Sequence, residues 1–255
     1  MKRKIIFYAL SLIFAAVFII SMVQILQIQG EYDKGVKEYS YLFNQAITLP
    51  DEISTANKPE NPAGFLGFII NYDEMYALNH DYVGWIYIPN TMINYPMVSS
   101  NDNEYYLHHT FLKEYNFAGT LFLDSLTSSL NKDNVIIYGH RMNNNSMFHD
   151  LEYFLDESFY TDNKNIYIFT ENELRVYEVL SARIVELDDA CYTITFNSNN
   201  PFDEWTLKMK SRSRYPISLV PVPAKNVITL STCVKGSETL RIIVQAQLTD
   251  SYPLS

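Results

Sequence analysis

The chain has 255 residues, 47% apolar and 19% charged, with 19 basic against 29 acidic side chains and a net charge of -10. That composition supplies enough apolar mass for a sizeable core and excludes disorder, collagen-like repeats and disulfide-stapled miniproteins. The acidic balance gives no general field for gathering phosphates, so no nucleic acid partner is expected, and the densest basic stretch, Lys208-Met209-Lys210-Ser211-Arg212-Ser213-Arg214, reads as the solvated end of a helix.

Lys2, Arg3 and Lys4 precede residues 5–28, a stretch with no charged side chain whose polar members are Ser11, Ser21, Gln24 and Gln27. About 20 apolar residues cross the hydrocarbon core, so this stretch predicts one transmembrane helix. Gln24-Ile25-Leu26-Gln27-Ile28-Gln29 lacks the small residues of a signal-peptide cleavage site. The expectation is an uncleaved signal anchor over residues 1–28, with the basic stub in the cytoplasm and everything beyond it on the extracellular side of the cell membrane. Residues 29–64 read as a helical and linker segment. Tyr39, Leu42, Phe43 and Ala46 recur at helical spacing, and Pro50, Pro59 and Pro62 stand among polar residues in a linker over 50–62.

Residues 65–255 form the remaining domain. A short helix is expected over 65–78, followed by β-branched and aromatic runs at 83–88, 93–98, 119–124, 134–140, 165–170, 174–185, 227–233 and 240–248. Short runs between turn residues predict a mostly antiparallel β domain that closes on itself to hide its edges. Two helical insertions interrupt it. Residues 146–160 place Met147, Phe148, Leu151, Phe154, Leu155 and Phe159 at i, i+3, i+4 spacing, and residues 201–214 open on proline.

Candidate chemistry gathers at the end of the chain. Ile242, Val244, Ala246 and Leu248 alternate with Arg241, Ile243, Gln245 and Gln247, the pattern of a half-buried strand, and a hairpin to the run 227–233 would set Cys233 beside Arg241 at one rim. A fixed cation favours the thiolate, which is the nucleophile, and a guanidinium also offers planar donors to the oxygen of a tetrahedral intermediate. The competing reading makes Cys233 a small buried hydrophobe and Arg241 a solvated strand-end charge. Thiol chemistry on an amide also needs a proton donor for the departing amine. Of the five histidines, His140 follows Gly139 at the end of an apolar strand, whereas His80 and His149 suit packing or surface roles, and His108 and His109 lack further metal ligands. Cys191 and Cys233 are even in number but have no zinc-type spacing, and no metal-binding, phosphate-binding or dinucleotide motif is present, so neither a metal nor another cofactor is expected.

Thr229-Leu230-Ser231-Thr232-Cys233, then Arg241, with Tyr138-Gly139-His140 upstream, resembles the sortases, membrane-anchored cysteine transpeptidases of Gram-positive bacteria. The helical stretch after the histidine, the helix near 201–214 and the N-terminal anchor with helical residues resemble the class B branch. The resemblance covers most of residues 80–249 and implies a closed eight-stranded sortase-type β-barrel. It implies Cys233 as nucleophile, His140 as general acid and base, and Arg241 as stabiliser of substrate and oxyanion. Ser231, Thr232, Asn103 and Leu107 are implied to line the substrate groove. Where the family has a tyrosine followed by an aliphatic residue, this chain has Cys191-Tyr192, which makes Tyr192 a groove candidate and allows a regulatory disulfide between Cys191 and Cys233. The implied partners are a C-terminal sorting-signal peptide of surface proteins, of the Asn-Pro-x-Thr-x kind, and an amine of a peptidoglycan precursor or cross-bridge. The alternatives are a pilus-type sortase, which usually adds a second apolar segment not seen in 248–255, a cysteine protease that uses water, and a non-enzymatic membrane-tethered β-barrel binding module.

Overall fold

The computed structural model describes residues 2–48, 68–217 and 226–254. The first element, helix α1 (Lys2–Ala46), runs without a break from the apolar stretch into the segment that meets the rest of the protein. Its first part is bare: Ile6, Phe7, Leu12, Phe14 and Phe18 are exposed, and the helix is long and apolar enough to cross a membrane. From Tyr32 onward it packs. Tyr32 meets Phe117 edge to face, and Tyr39, Leu42 and Ala46 are buried.

Strand β1 (Ile47–Thr48) pairs with β2 (Ile69–Ile70). The expected linker 50–62 and residues 65–67 of the expected short helix lie outside the described residues. That helix, α2 (Tyr72–Leu78), starts later than its spacing suggests, because Asn71 is extended and its side chain accepts from Glu74 N at 3.2 Å, while Ile69 and Ile70 are committed to a strand.

The barrel strands are β3 (Tyr82–Tyr87), β4 (Asn94–Ser99), β5 (Leu121–Leu123), β6 (Asn134–Tyr138), β7 (Asn165–Phe169), β8 (Glu173–Glu186), β9 (Val227–Cys233) and β10 (Leu240–Pro253). They close in the order β10-β8-β7-β3-β4-β5-β6-β9, so every strand has two neighbours and no edge is left open. Most pairs are antiparallel, as the short runs suggest, but β4 with β5 and β6 with β9 are parallel. Parallel partners need long crossovers, and the segment between β6 and β9 supplies one. Trp85, Ile86, Met97, Leu121, Val135, Ile137, Ile168, Leu230 and Val244 are buried in one core that also takes in Tyr39, Leu42 and Ala46 of α1.

The insertion at 146–160 is not one helix. A 3-10 turn (His149–Leu155) ends at Asp156, which is extended and accepts from Ser158 N at 2.8 Å to cap α3 (Glu157–Asp162). The apolar spacing still buries Phe148, Leu151 and Phe154, but the capping aspartate divides the segment. Helix α4 (Phe202–Ser211) matches the second insertion and begins after Pro201. Its tail is less solvated than the sequence suggests, since Lys210 is buried and Arg212 lies 3.6 Å from Asp189.

Candidate active site

Strands β9 and β10 form the expected hairpin, with Cys233 directly opposite Arg241. Its turn holds Gly236 at a φ of 76°, a left-handed conformation that glycine adopts without strain. The carbonyls of Glu238 in the turn, at 2.9 Å, and of Leu240 at the start of β10, at 3.0 Å, accept from Arg241 Nη1 and fix the guanidinium at the rim.

The parallel pairing of β6 with β9 brings Tyr138 opposite Ser231 and carries the chain on to His140. Thr232 lies on the inward face of β9 with Leu230, and its hydroxyl donates to Gly139 O at 2.7 Å. Gly139 N donates to Ser231 O at 3.2 Å. These bonds tie the histidine segment to the cysteine strand. A Cβ at Gly139 would collide with Leu121 and Phe148, so only glycine permits this close approach.

The His140 ring is oriented by Leu107 O, 2.9 Å from Nε2. A carbonyl only accepts, so Nε2 carries the proton and Nδ1 is the nitrogen available for exchange. Burial lowers the His140 pKa below the usual histidine value; the Leu107 carbonyl opposes this and neighbouring His108, its ring 6.4 Å away, adds to it.

The opposite wall is the segment after β8. A 3-10 turn (Ala190–Tyr192) is capped by Asp189, which accepts from Cys191 N at 2.8 Å and from Arg183 Nη2 at 2.8 Å. Asn134 Nδ2 donates to Cys191 O at 2.9 Å, and Trp205 of α4 donates to Ala190 O at 2.7 Å. The insertion helix thus props the wall. Tyr192 faces the cleft with its hydroxyl 2.9 Å from Ser231 Oγ, and Cys191 points away into a small cluster with Leu180, Val185, Trp205 and Met209. Both cysteines are free thiols, Cys191 fully buried and Cys233 half-buried, so the disulfide allowed by the sequence is not formed.

Cys233, His140, Arg241, Ser231, Thr232, Asn103, Leu107 and Tyr192 all line one cleft of about 370 Å³. Thr232 lines it with its hydroxyl already committed to Gly139, so it braces the floor. The cleft also draws in Tyr138 and Gly139 from the Tyr138-Gly139-His140 run, and Phe122 and Leu187, which the sequence did not single out, with Asp124 hydrogen-bonded to its lining. Asp124 accepts from Asn103 Nδ2 at 3.0 Å and from Tyr138 OH at 3.1 Å, fixing two lining side chains. A buried aspartate ending a short strand carries no signature by itself, and only its fold neighbours reveal it. The remaining four histidines do not line the cleft: His80 packs on Tyr76, the His108 ring lies 6.4 Å from that of His140, His109 stacks on Tyr105, and buried His149 bonds Asp150. Among the described residues no cluster of His, Cys, Asp or Glu is placed to hold a metal ion.

A family model described as Sortase domain matches residues 86–249. The chain belongs to the sortase family. Sortase B of Listeria monocytogenes is 34% identical over 220 residues, which is 84% of this chain and 88% of that protein. The crystal structure of sortase B from Bacillus anthracis superposes with a TM-score of 0.70 at 27% identity, covering 86% of this chain and 98% of that one. A Staphylococcus aureus sortase B–substrate complex gives a TM-score of 0.64 at 31% identity over 70% of this chain and 84% of that one. The chain is therefore a class B sortase, a cysteine transpeptidase with the closed eight-stranded barrel of that class. In this sortase the helix after the histidine is split, and the wall residue beside Ser231 is Tyr192.

Proposed function

We propose that Cys233 is the nucleophile of this sortase, His140 its general acid and base, and Arg241 the stabiliser of substrate and oxyanion. The observation that supports this best is their convergence in one cleft from three separate chain segments, with Arg241 opposite Cys233 in register and His140 tied to β9 through Gly139. Ser231, Asn103, Leu107 and Tyr192 contact the bound peptide in this reading, and Thr232 holds the floor.

The substrate is a C-terminal sorting signal of the Asn-Pro-x-Thr-x kind. The Cys233 thiol gives its proton to neutral His140, and the thiolate attacks the carbonyl carbon of the threonine. The oxyanion is met by the planar donors of Arg241. Collapse expels the amine, which takes the proton from His140, and a thioester remains on Sγ. An amine of a peptidoglycan precursor or cross-bridge then attacks, His140 accepts its proton, and the thiolate leaves.

The helix α1 is the anchor. Lys2, Arg3 and Lys4 ahead of the apolar stretch hold the N-terminus in the cytoplasm, which puts the cleft on the extracellular side. Residues 1–28 are stub and span, 29–64 connect, and 65–255 carry the catalytic barrel.

The test is mass spectrometry of products from the protein, an Asn-Pro-x-Thr-x peptide and a primary amine. The expected product ends at threonine and is amide-linked to the added amine. Product made only by hydrolysis would favour a protease, and cleavage at another bond would overturn the substrate assignment.

A further inference from the structure

The barrel-facing part of α1 contains one buried side chain, Tyr39, that reaches both chain segments holding His140. On the first side, the Tyr39 hydroxyl donates to Gly119 O at 2.5 Å. Gly119 has a φ of 60° and is folded so closely over the 3-10 turn (Tyr105–Leu107) that a Cβ there would collide with the carbonyl oxygens of Tyr106 and Leu107. Thr120 N donates to Tyr106 O at 2.9 Å, and Thr120 Oγ1 donates to His109 O at 2.9 Å. The turn ends at Leu107, whose carbonyl accepts from His140 Nε2.

On the second side, the Tyr39 ring packs edge-on against Tyr95, centroids 5.2 Å apart at 86°. The Tyr95 hydroxyl accepts from Met147 N at 3.2 Å. Met147 has a φ of 58°, a left-handed conformation unusual for methionine, and forms a bridge with Arg141. Phe148 N then donates to His140 O at 2.9 Å. One route from Tyr39 ends on the imidazole and the other on the backbone of the same histidine.

We propose that Tyr39 is a positioning residue for His140, which makes the helix leading from the membrane part of the catalytic scaffold. The proposal rests on the role given to His140 above. Leu107 O selects the Nε2–H tautomer only while it stays within hydrogen-bond reach, and Tyr39 holds the turn that carries it. A strained left-handed residue such as Met147 likewise persists only where its surroundings fix it. Removing one hydroxyl from α1 therefore loosens the histidine without touching the cleft.

The test uses the full-length protein in nanodiscs, with kcat normalised to titrated thiol and the tautomer of His140 read from imidazole ¹⁵N shifts. Tyr39→Phe is expected to lower kcat about tenfold, since small misplacements of reacting groups are costly, with KM for the sorting peptide unchanged and the single Nε2–H tautomer lost. Tyr215→Phe is the matched control, because it removes an equivalent buried hydroxyl-to-carbonyl bond, Tyr215 OH to Phe154 O at 2.7 Å, between residues that do not line the cleft. It is expected to lower Tm while leaving kcat and the tautomer unchanged. An equal loss in both variants would overturn the proposal, as the effect would then be one of general stability. His140→Ala separates the two readings: turnover in that variant defeats the role of His140. An inactive His140→Ala alongside a Tyr39→Phe with wild-type kcat and tautomer defeats the positioning role alone.

Discussion

The pocket around Cys191 and the cleft around Cys233 present the same side chain to opposite surroundings. Cys191 is sealed among Leu180, Val185, Trp205 and Met209, and burial, with Asp189 beside it, pushes its thiol far above the ordinary value. Cys233 is half-buried at the end of β9, opposite a guanidinium and in a cleft shared with an imidazole. The low dielectric around Cys191 and the carboxylate beside it disfavour its thiolate. Neighbours supplied by strand register, and not the residue type, thus seal one thiol away and open the other to the cleft, which is the basis for proposing Cys233 as the nucleophile.

The largest expected effect comes from exchanging the two thiols for methyl groups. Cys233→Ala should lose at least about 10⁴-fold in turnover, as removal of a nucleophile does. Cys191→Ala should keep turnover within about twofold while losing roughly 1–2 kcal/mol of stability through the space left in a packed cluster. Steady-state kinetics and denaturant unfolding on both variants check the pair, and a dead Cys191→Ala would break the contrast.

Arg241→Lys should cost roughly 100-fold in kcat/KM, because an ammonium keeps the charge but not the planar donors that meet an oxyanion. Near wild-type activity would reduce Arg241 to a strand-end charge. Thiol reactivity sharpens the same comparison: iodoacetamide should label Cys233 in the folded protein and reach Cys191 only on unfolding, as read by peptide mapping. Thr232→Val should lose about 1 kcal/mol of stability with the Gly139 bond, and several-fold in kcat as the histidine segment loosens from β9.

The smallest effect is on stability against pH. Burial lowers the folded pKa of His140 below 6.5, so the unfolded chain takes up the proton first as the solution is acidified. The stability contributed by the neutral ring is present above about pH 6.5 and is lost as pH falls through the lowered folded value. The Tm gap between the wild type and His140→Gln should therefore narrow below pH 6.5, and a gap that widens there would reverse the sign.

The sequence revealed the parts of this site that depend on strand alternation. The pattern at 240–248 and the run at 227–233 are enough to predict the hairpin, and the hairpin alone puts Arg241 beside Cys233. The eight strand runs likewise survive as the eight barrel strands, shifted by a few residues at their ends. Features set by capping and by long-range pairing were less legible. Apolar spacing at 146–160 reads as one helix, yet Asp156 divides it, since a side chain that competes for backbone amides outweighs periodicity. The parallel pairing of β6 with β9, which delivers His140 to the cleft, has no local signal, because both strands are buried along nearly their whole length and neither carries a mark of its partner's direction. Asp124 and the orienting carbonyl of Leu107 are invisible for a similar reason: their effect arises only from neighbours distant in sequence.

The most direct test of the account is the site of acylation. The protein is mixed with an Asn-Pro-x-Thr-x peptide without added amine, quenched in acid, and examined by intact mass followed by peptide mapping. The expected result is an adduct equal in mass to the peptide fragment ending at threonine, attached to Cys233 and absent from Cys191. Cleaved peptide with no adduct under conditions that preserve thioesters, or an adduct on any other residue, would contradict it.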